Sequence, residues 1–159
     1  MNKRKSILVT SGSKRLGKHI SKFFVMNDWD LILHYNNSKV EAEETANELS
    51  LYSKNIKLYQ ADFTNYEDVE NLVENLLLKE KEWIGLVNNA GLFEYDTGQE
   101  FTIEKLNRHM SINFSTPAIL IQALYKNIIK NQIVKNKNNM VINIIDAKIE
   151  GLNPDYYSY

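Results

Sequence analysis

Ser6-Ile7-Leu8-Val9-Thr10-Ser11-Gly12-Ser13-Lys14-Arg15-Leu16-Gly17 runs from an apolar stretch, through a polar turn with glycine, into the start of an amphipathic pattern. Residues 6–11 read as a strand, and a helix is expected from about Leu16, with Ile20, Phe23 and Phe24 on one face. A glycine-bearing turn between strand and helix lets backbone N–H groups and the helix N-terminus approach an anion. On its own such a turn is weak evidence, because a loop that merely reverses the chain looks the same.

The pattern repeats along the chain. Strands are expected at Asp30–Tyr35, Ile56–Gln60, 85–88 and 140–145. Between them lie helical patterns at 40–52 and 66–81, the second with Val69, Leu72, Val73, Leu76 and Leu77 inward. After a loop at 89–102, a long helical stretch spans 103–134, interrupted near 111–113 and carrying Pro117 at the first turn of a new helix or at a kink. The polar segment 135–139 ends it, and a non-helical tail follows the fifth strand. Alternating short apolar runs and amphipathic helices indicate an α/β protein with a doubly wound parallel sheet. Right-handed crossovers favour the order 3-2-1-4-5 in a single domain over 1–159, with ligands bound beyond the carboxyl ends of the strands.

Bulk properties narrow the function. The 159 residues are 43% hydrophobic and 25% charged with a net charge of −1, which offers no basic field for nucleic acid or anionic membrane. The absence of cysteine removes disulfides, thiolate ligands and cysteine nucleophiles. His19, His34 and His109 are scattered and suggest no metal site. The basic N-terminus runs straight into the first strand, and no apolar run reaches the length of a signal or membrane-spanning segment, so a cytoplasmic location is expected.

At the end of the fourth strand stands Asn88-Asn89-Ala90-Gly91, two adjacent amides able to bond neighbouring backbone and hold a loop over a ligand. Together with the first turn, this resembles the short-chain dehydrogenase/reductase family. That family has a glycine-rich turn after strand one, Asn-Asn-Ala-Gly after strand four, an Asn in the long helix and a Tyr-x-x-x-Lys pair. The resemblance implies a Rossmann-type sheet, with Asn113 as the helix Asn and Tyr159 as the tyrosine. Asp146 stands thirteen residues before Tyr159, where the family usually has Ser. Pteridine reductases carry an Asp there, and the chain resembles that branch at Lys14-Arg15-Leu16-Gly17, at Phe93 and at His34-Tyr35-Asn36-Asn37-Ser38.

The resemblance implies NADP(H) as cofactor. Ser11, Gly12, Lys14, Arg15, Leu16 and Gly17 would surround its phosphates, and Asn89, Ala90 and Gly91 would close over it. His34, Asn36, Asn37 and Ser38 would receive the 2′-phosphate, and Asp62 with Phe63 would meet the adenine. Asp62 also reads as a turn or N-cap Asp. The end of strand two has no carboxylate to repel a phosphate, which favours NADPH over NADH. Ser11 occupies the first family glycine, so the turn is either strained at Ser11 or bends one residue later at Gly12.

By the same resemblance, Phe93 and Arg15 would contact a pterin-like substrate. Hydride transfer to a C=N bond would draw its proton from Tyr159, with Asp146 in the relay and Asn113 holding a water or the lysine. Tyr159 ends the chain, so the expected lysine is missing and the phenol is expected near its ordinary pKa. The family match is expected to cover about the first two-thirds of a full member, with little activity in this chain alone. Apolar surface is expected on strand five and along 118–134, suiting a homo-oligomer or a complementing chain. Two other readings stay open: a non-catalytic, associating remnant of such an enzyme, and a flavodoxin-like or response-regulator-like binding module.

Overall fold

The structure, a computed structural model, describes residues 5–53, 55–133, 139–146 and 155–159. The strands are β1 (Ser6–Val9), β2 (Asp30–Tyr35), β3 (Ile56–Gln60), β4 (Trp83–Asn88) and β5 (Met140–Asn143). Between them run α1 (Arg15–Met26), α2 (Lys39–Leu49), α3 (Tyr66–Lys79), α4 (Ile103–Met110) and α5 (Thr116–Lys130). All strand pairs are parallel, in the expected order β3-β2-β1-β4-β5.

Alternation along the central strands sends side chains to two cores. Leu8, Ile32 and Leu86 pack with Val69, Leu72 and Leu76 of α3 and with Leu120, Ala123 and Leu124 of α5. Ile7, Val9, Leu31, Leu33 and Val87 pack on the other face with Phe24 and Val25 of α1 and with Ala42 and Leu49 of α2. The register between β1 and β4 slips between Ser6 and Ile7, which pair with Trp83 and Gly85. That bulge returns Trp83 and Leu86 to the same core despite their odd spacing. Among the described residues, no helix is long and apolar enough to cross a membrane.

Several sequence expectations shift. Phe23 is not inward: it is 61% exposed, because Gly17, Ser21 and Phe24 form the buried stripe of α1 and Phe23 lies beside it. The first strand stops at Val9, and the fifth stops at Asn143 rather than at 145. The helix at 40–52 ends at Leu49. Near 111–113 the long helix is not interrupted but widened, as a π-helical turn over Ser111–Ser115. Pro117 follows in the first turn of α5, where the looser turn spares a bond its missing N–H cannot make. The expected helix end at 134, the segment 135–138 and the tail at 147–154 lie outside the described residues.

The sheet order leaves β5 at an edge, where Val141, Ile142, Ile144 and Ile145 are exposed, as are Ile121, Tyr125 and Ile129 of α5. This matches the apolar surface expected there.

One buried amide fixes α5 to the entrance of β4. Asn127 is inaccessible, and its Nδ2 donates to the carbonyls of Glu80 (3.1 Å) and Trp83 (2.9 Å). An Asn127→Ala variant is expected to lose about 1–3 kcal/mol, since two carbonyls each lose a buried donor, although that of Glu80 keeps the Trp83 N–H. Urea unfolding checks this, and an unchanged midpoint would mean that the amide carries no net stability.

Candidate functional site

The loops following β1, β2, β3 and β4 meet at the carboxyl end of the sheet, and Thr10 joins two of them. Its Oγ1 accepts from the backbone N–H of Asn89 (2.9 Å) and of Ala90 (2.8 Å), and donates to the Val87 carbonyl (3.3 Å). Asn89 returns the link, its Nδ2 donating to the carbonyls of Thr10 (3.0 Å) and Ser11 (3.2 Å). Asn89 and Ala90 therefore meet the first turn as a unit. A threonine at a strand end carries no sequence signal of such a junction, although Thr10 adjoins Ser11 and Gly12.

Ser11 takes the left-handed backbone with φ 50°, so the bend stays at Ser11 and does not move to Gly12. Such a conformation costs a side-chain-bearing residue on the order of 1 kcal/mol. Glycine at 12 and 17 is required for space instead. A Cβ on Gly17 would meet the Ser11 carbonyl oxygen at 2.1 Å, and one on Gly12 would meet Ser21 Oγ at 2.9 Å. The helix can therefore start directly against the turn. At the start of α1, Lys14 makes no side-chain cap and the first turn carries no acid, so among the described residues the N–H groups of that turn have no local side-chain cap. Arg15 is exposed with φ 46°, and Leu16 is exposed beside it.

His34 holds the turn from below. Its ring is 2% exposed and stacks on Phe63 at 4.1 Å. Nδ1 accepts from the Ser11 N–H (3.2 Å), so the proton sits on Nε2, which donates to the Ala61 carbonyl (3.0 Å). The His34 carbonyl accepts from the Gly12 N–H at 3.0 Å. His34 and Phe63, both expected among cofactor contacts, lie buried beneath the turn, with both ring nitrogens of His34 occupied. The alternating pattern Leu33-His34-Tyr35 does not reveal this, because a buried polar residue at a strand end looks the same as a site residue.

The neighbouring loops are tied in by small polar groups. Ser13 Oγ lies 3.2 Å from Ser38 Oγ, and Thr45 Oγ1 donates to the Ser13 carbonyl (3.0 Å). Asn37 is exposed, and Asn36 bonds Asp62. Asp62 forms a turn, accepting from the N–H and Oγ1 of Thr64 at 2.8 Å each. The Thr64 N–H is the main cause holding its carboxyl below the ordinary value, with Asn36 and Arg108 adding to it. Lys14, expected near a phosphate, is ion-paired with Glu41 of α2. That acid lies in α2, beyond the end of strand two, where only the fold brings it to Lys14.

Farther along, Asn113 occupies the π-helical turn with its amide engaged by the Leu92 backbone. Oδ1 accepts from the Leu92 N–H (2.8 Å), and Nδ2 donates to the Leu92 carbonyl (2.9 Å). It anchors the loop that carries Gly91 and Phe93. Asp146 and Tyr159 come together, the phenol donating to Asp146 Oδ2 at 3.3 Å. Partial burial, then the charge and hydrogen bond of Asp146, raise the Tyr159 pKa above the ordinary phenol value, so it does not stay near that value as expected. The Phe93 ring stacks on Tyr156 at 3.9 Å and meets the Tyr159 ring edge-on at 4.8 Å.

A model of the short chain dehydrogenase family matches residues 5–149. The chain belongs to that family. The flavodoxin-like or response-regulator-like alternative is thereby set aside. Among curated relatives, this short-chain dehydrogenase is 28% identical over 119 residues to short-chain dehydrogenase/reductase FrzI of Cladobotryum, covering 75% of this chain and 46% of that protein. It is 24% identical over 159 residues to L-rhamnose 1-dehydrogenase (NADP(+)) of Thermoplasma acidophilum, covering 98% and 61%. Among solved structures, FolM alternative dihydrofolate reductase 1 of Brucella suis, in complex with NADP, superposes with TM-score 0.82 at 30% identity, covering 98% and 62%. Acetoin dehydrogenase YohF of Salmonella typhimurium superposes with TM-score 0.87 at 18% identity, which shows the fold alone. The chain thus spans about half to three-fifths of these proteins' length.

Burial holds the His34 pKa down from 6.5 to about 4, against the Ala61 hydrogen bond and the Asp62 charge, which raise it. The unfolded chain takes up a proton near pH 6.5 that the folded chain refuses until about pH 4, so stability falls as pH drops through that window. Between pH 7 and 5, His34 should account for a loss of about 2 kcal/mol. Urea midpoints at both pH values should show a smaller loss in His34→Gln than in the native chain. Equal losses would mean that His34 is not buried neutral.

Proposed function

We propose that this chain is the cofactor-binding part of an NADP(H)-dependent short-chain oxidoreductase that reduces a C=N or C=O group on a flat, pterin-like substrate. The observation that carries the reading is the first turn. Ser11 is bent against the start of α1, Gly17 leaves no room for a side chain, and the helix N-terminus has no side-chain cap. That arrangement suits a pyrophosphate approached by backbone donors. NADP(H), when bound, supplies the hydride.

This chain's residues would bind and protonate. Ser11, Gly12, Leu16 and Gly17 line the phosphate turn, and Arg15, Asn37 and Ser38 stand where a 2′-phosphate needs donors. Asp62, fixed by Thr64, offers an acceptor to the adenine. Asn89, Ala90 and Gly91 continue the wall from the Thr10 junction, and Asn113 orders it through Leu92. Tyr159 keeps its proton at neutral pH and would deliver it from its Oη, with Asp146 as neighbour in the relay. The NADP complex of the FolM relative, at 30% identity, supports the choice of cofactor. The exposed apolar edge at β5 and α5 supports a second copy or a complementing chain as partner.

Calorimetric titration with NADPH and NADH tests the reading. NADPH should bind more tightly, by at least about tenfold, which corresponds to about 1.4 kcal/mol for the phosphate contacts. No binding of either nucleotide would leave a fold of this family without its cofactor role. Equal binding would remove the assignment of Arg15, Asn37 and Ser38 to a phosphate and point to Glu41 neutralising Lys14.

A further inference from the structure

Three buried polar groups that none of these roles uses hold the segment carrying Tyr159. Asp96, in the loop between β4 and α4, is inaccessible to solvent, Ser158 is 4% exposed and His109 of α4 is 2% exposed. The Asp96 backbone pairs with the segment: its N–H donates to the Asp155 carbonyl and its carbonyl accepts from the Tyr157 N–H, both at 3.2 Å. Its side chain adds a third bond, Oδ1 accepting from the Ser158 N–H at 3.1 Å. Ser158 Oγ lies 3.2 Å from His109 Nδ1, which is also 3.0 Å from the Lys105 carbonyl. His109 Nε2 accepts from the Glu94 N–H at 3.3 Å, so the ring proton sits on Nδ1. The second Asp96 oxygen is buried with no hydrogen-bond partner among the described residues, an arrangement that costs stability.

This cluster specifies register. Residues 156–159 form a turn, closed by the Tyr159 N–H donating to the Tyr156 carbonyl at 3.2 Å, and with Ser158 turned inward Tyr157 and Tyr159 face outward. They are 62% and 48% exposed, and Tyr159 reaches Asp146 and Phe93. A shift of one residue along the turn would press a tyrosine into a serine-sized space and carry the phenol away from Asp146.

We propose that Asp96 and His109 are positioning residues for Tyr159: by seating Ser158, they fix the register of residues 155–159 and so set the phenol against Asp146 and Phe93. The functional weight of this latch rests on the reading of Tyr159 as the proton donor, but its geometry does not.

The test is fluorine NMR of the full chain labelled with fluorotyrosine, with Tyr159→Phe identifying the signal and circular dichroism verifying the fold. In Asp96→Ala, the Tyr159 signal should move toward that of a solvated tyrosine, and its titration should fall toward the ordinary phenol range. Asp96→Asn keeps an oxygen for the Ser158 N–H and should behave as the native chain. A folded Asp96→Ala with an unmoved signal overturns the proposal, as does an Asn variant that matches Ala. If Asp96→Ala does not fold, Ser158→Ala decides. It should shift the signal in the same direction by a smaller amount, and an unmoved signal again overturns the latch. Neither nucleotide nor turnover enters this experiment, so a failed NADPH titration would leave the latch standing, and the reverse also holds.

Discussion

The site depends on one hydroxyl. Parallel strands β1 and β4 end side by side, and each releases a loop whose backbone donors have lost the sheet's acceptors. Thr10 Oγ1 takes two of those donors, from Asn89 and Ala90, and gives its own proton to Val87. The Asn89 amide then bonds the Thr10 and Ser11 carbonyls, which holds the strained bend at Ser11 against the start of α1. His34 completes the support from below. A left-handed serine persists only where surrounding structure outweighs its cost, and here four hydrogen bonds to Asn89 and His34 do so.

Much of this was legible in the chain. Alternating apolar runs and amphipathic helices specify a parallel sheet wound on both faces, and the sheet has the expected order. The spacing of Asp146 and Tyr159 anticipates their contact, while the serine in place of glycine leaves two bends open, of which the left-handed Ser11 is the one adopted. What stayed hidden are pairings between distant segments that involve ordinary residue types. His34 and Phe63 stack beneath the turn, Glu41 reaches Lys14, and Asp96, His109 and Ser158 meet across 62 residues of chain. Each of these residues reads locally as a strand end, a helix start or a polar loop. Phe23 was misplaced because adjacent phenylalanines straddle the edge of the apolar stripe, and only the docking angle decides which is buried.

The two ends of the site differ electrically. Around the first turn the cationic side chain of Lys14 is already matched by Glu41, which leaves backbone donors and Arg15 to meet an anion. Around Tyr159, a carboxylate stands where a cation would be needed to ionise the phenol, so partial burial and then Asp146 keep the proton in place. The first arrangement favours recognition by backbone geometry over long-range attraction. The second keeps the phenol protonated and disfavours the phenolate that proton donation would leave beside Asp146.

Amide hydrogen exchange in Thr10→Val, with Thr10→Ser as the control, tests most directly whether Thr10 joins the two loops. The valine keeps the shape and removes the hydroxyl, so the Asn89 and Ala90 amides and the turn from Ser11 to Gly17 should exchange faster, by about tenfold or more for a lost buried acceptor. The serine should exchange as the native chain does. Native rates throughout in Thr10→Val would contradict the account, since the loops would then be held without that hydroxyl.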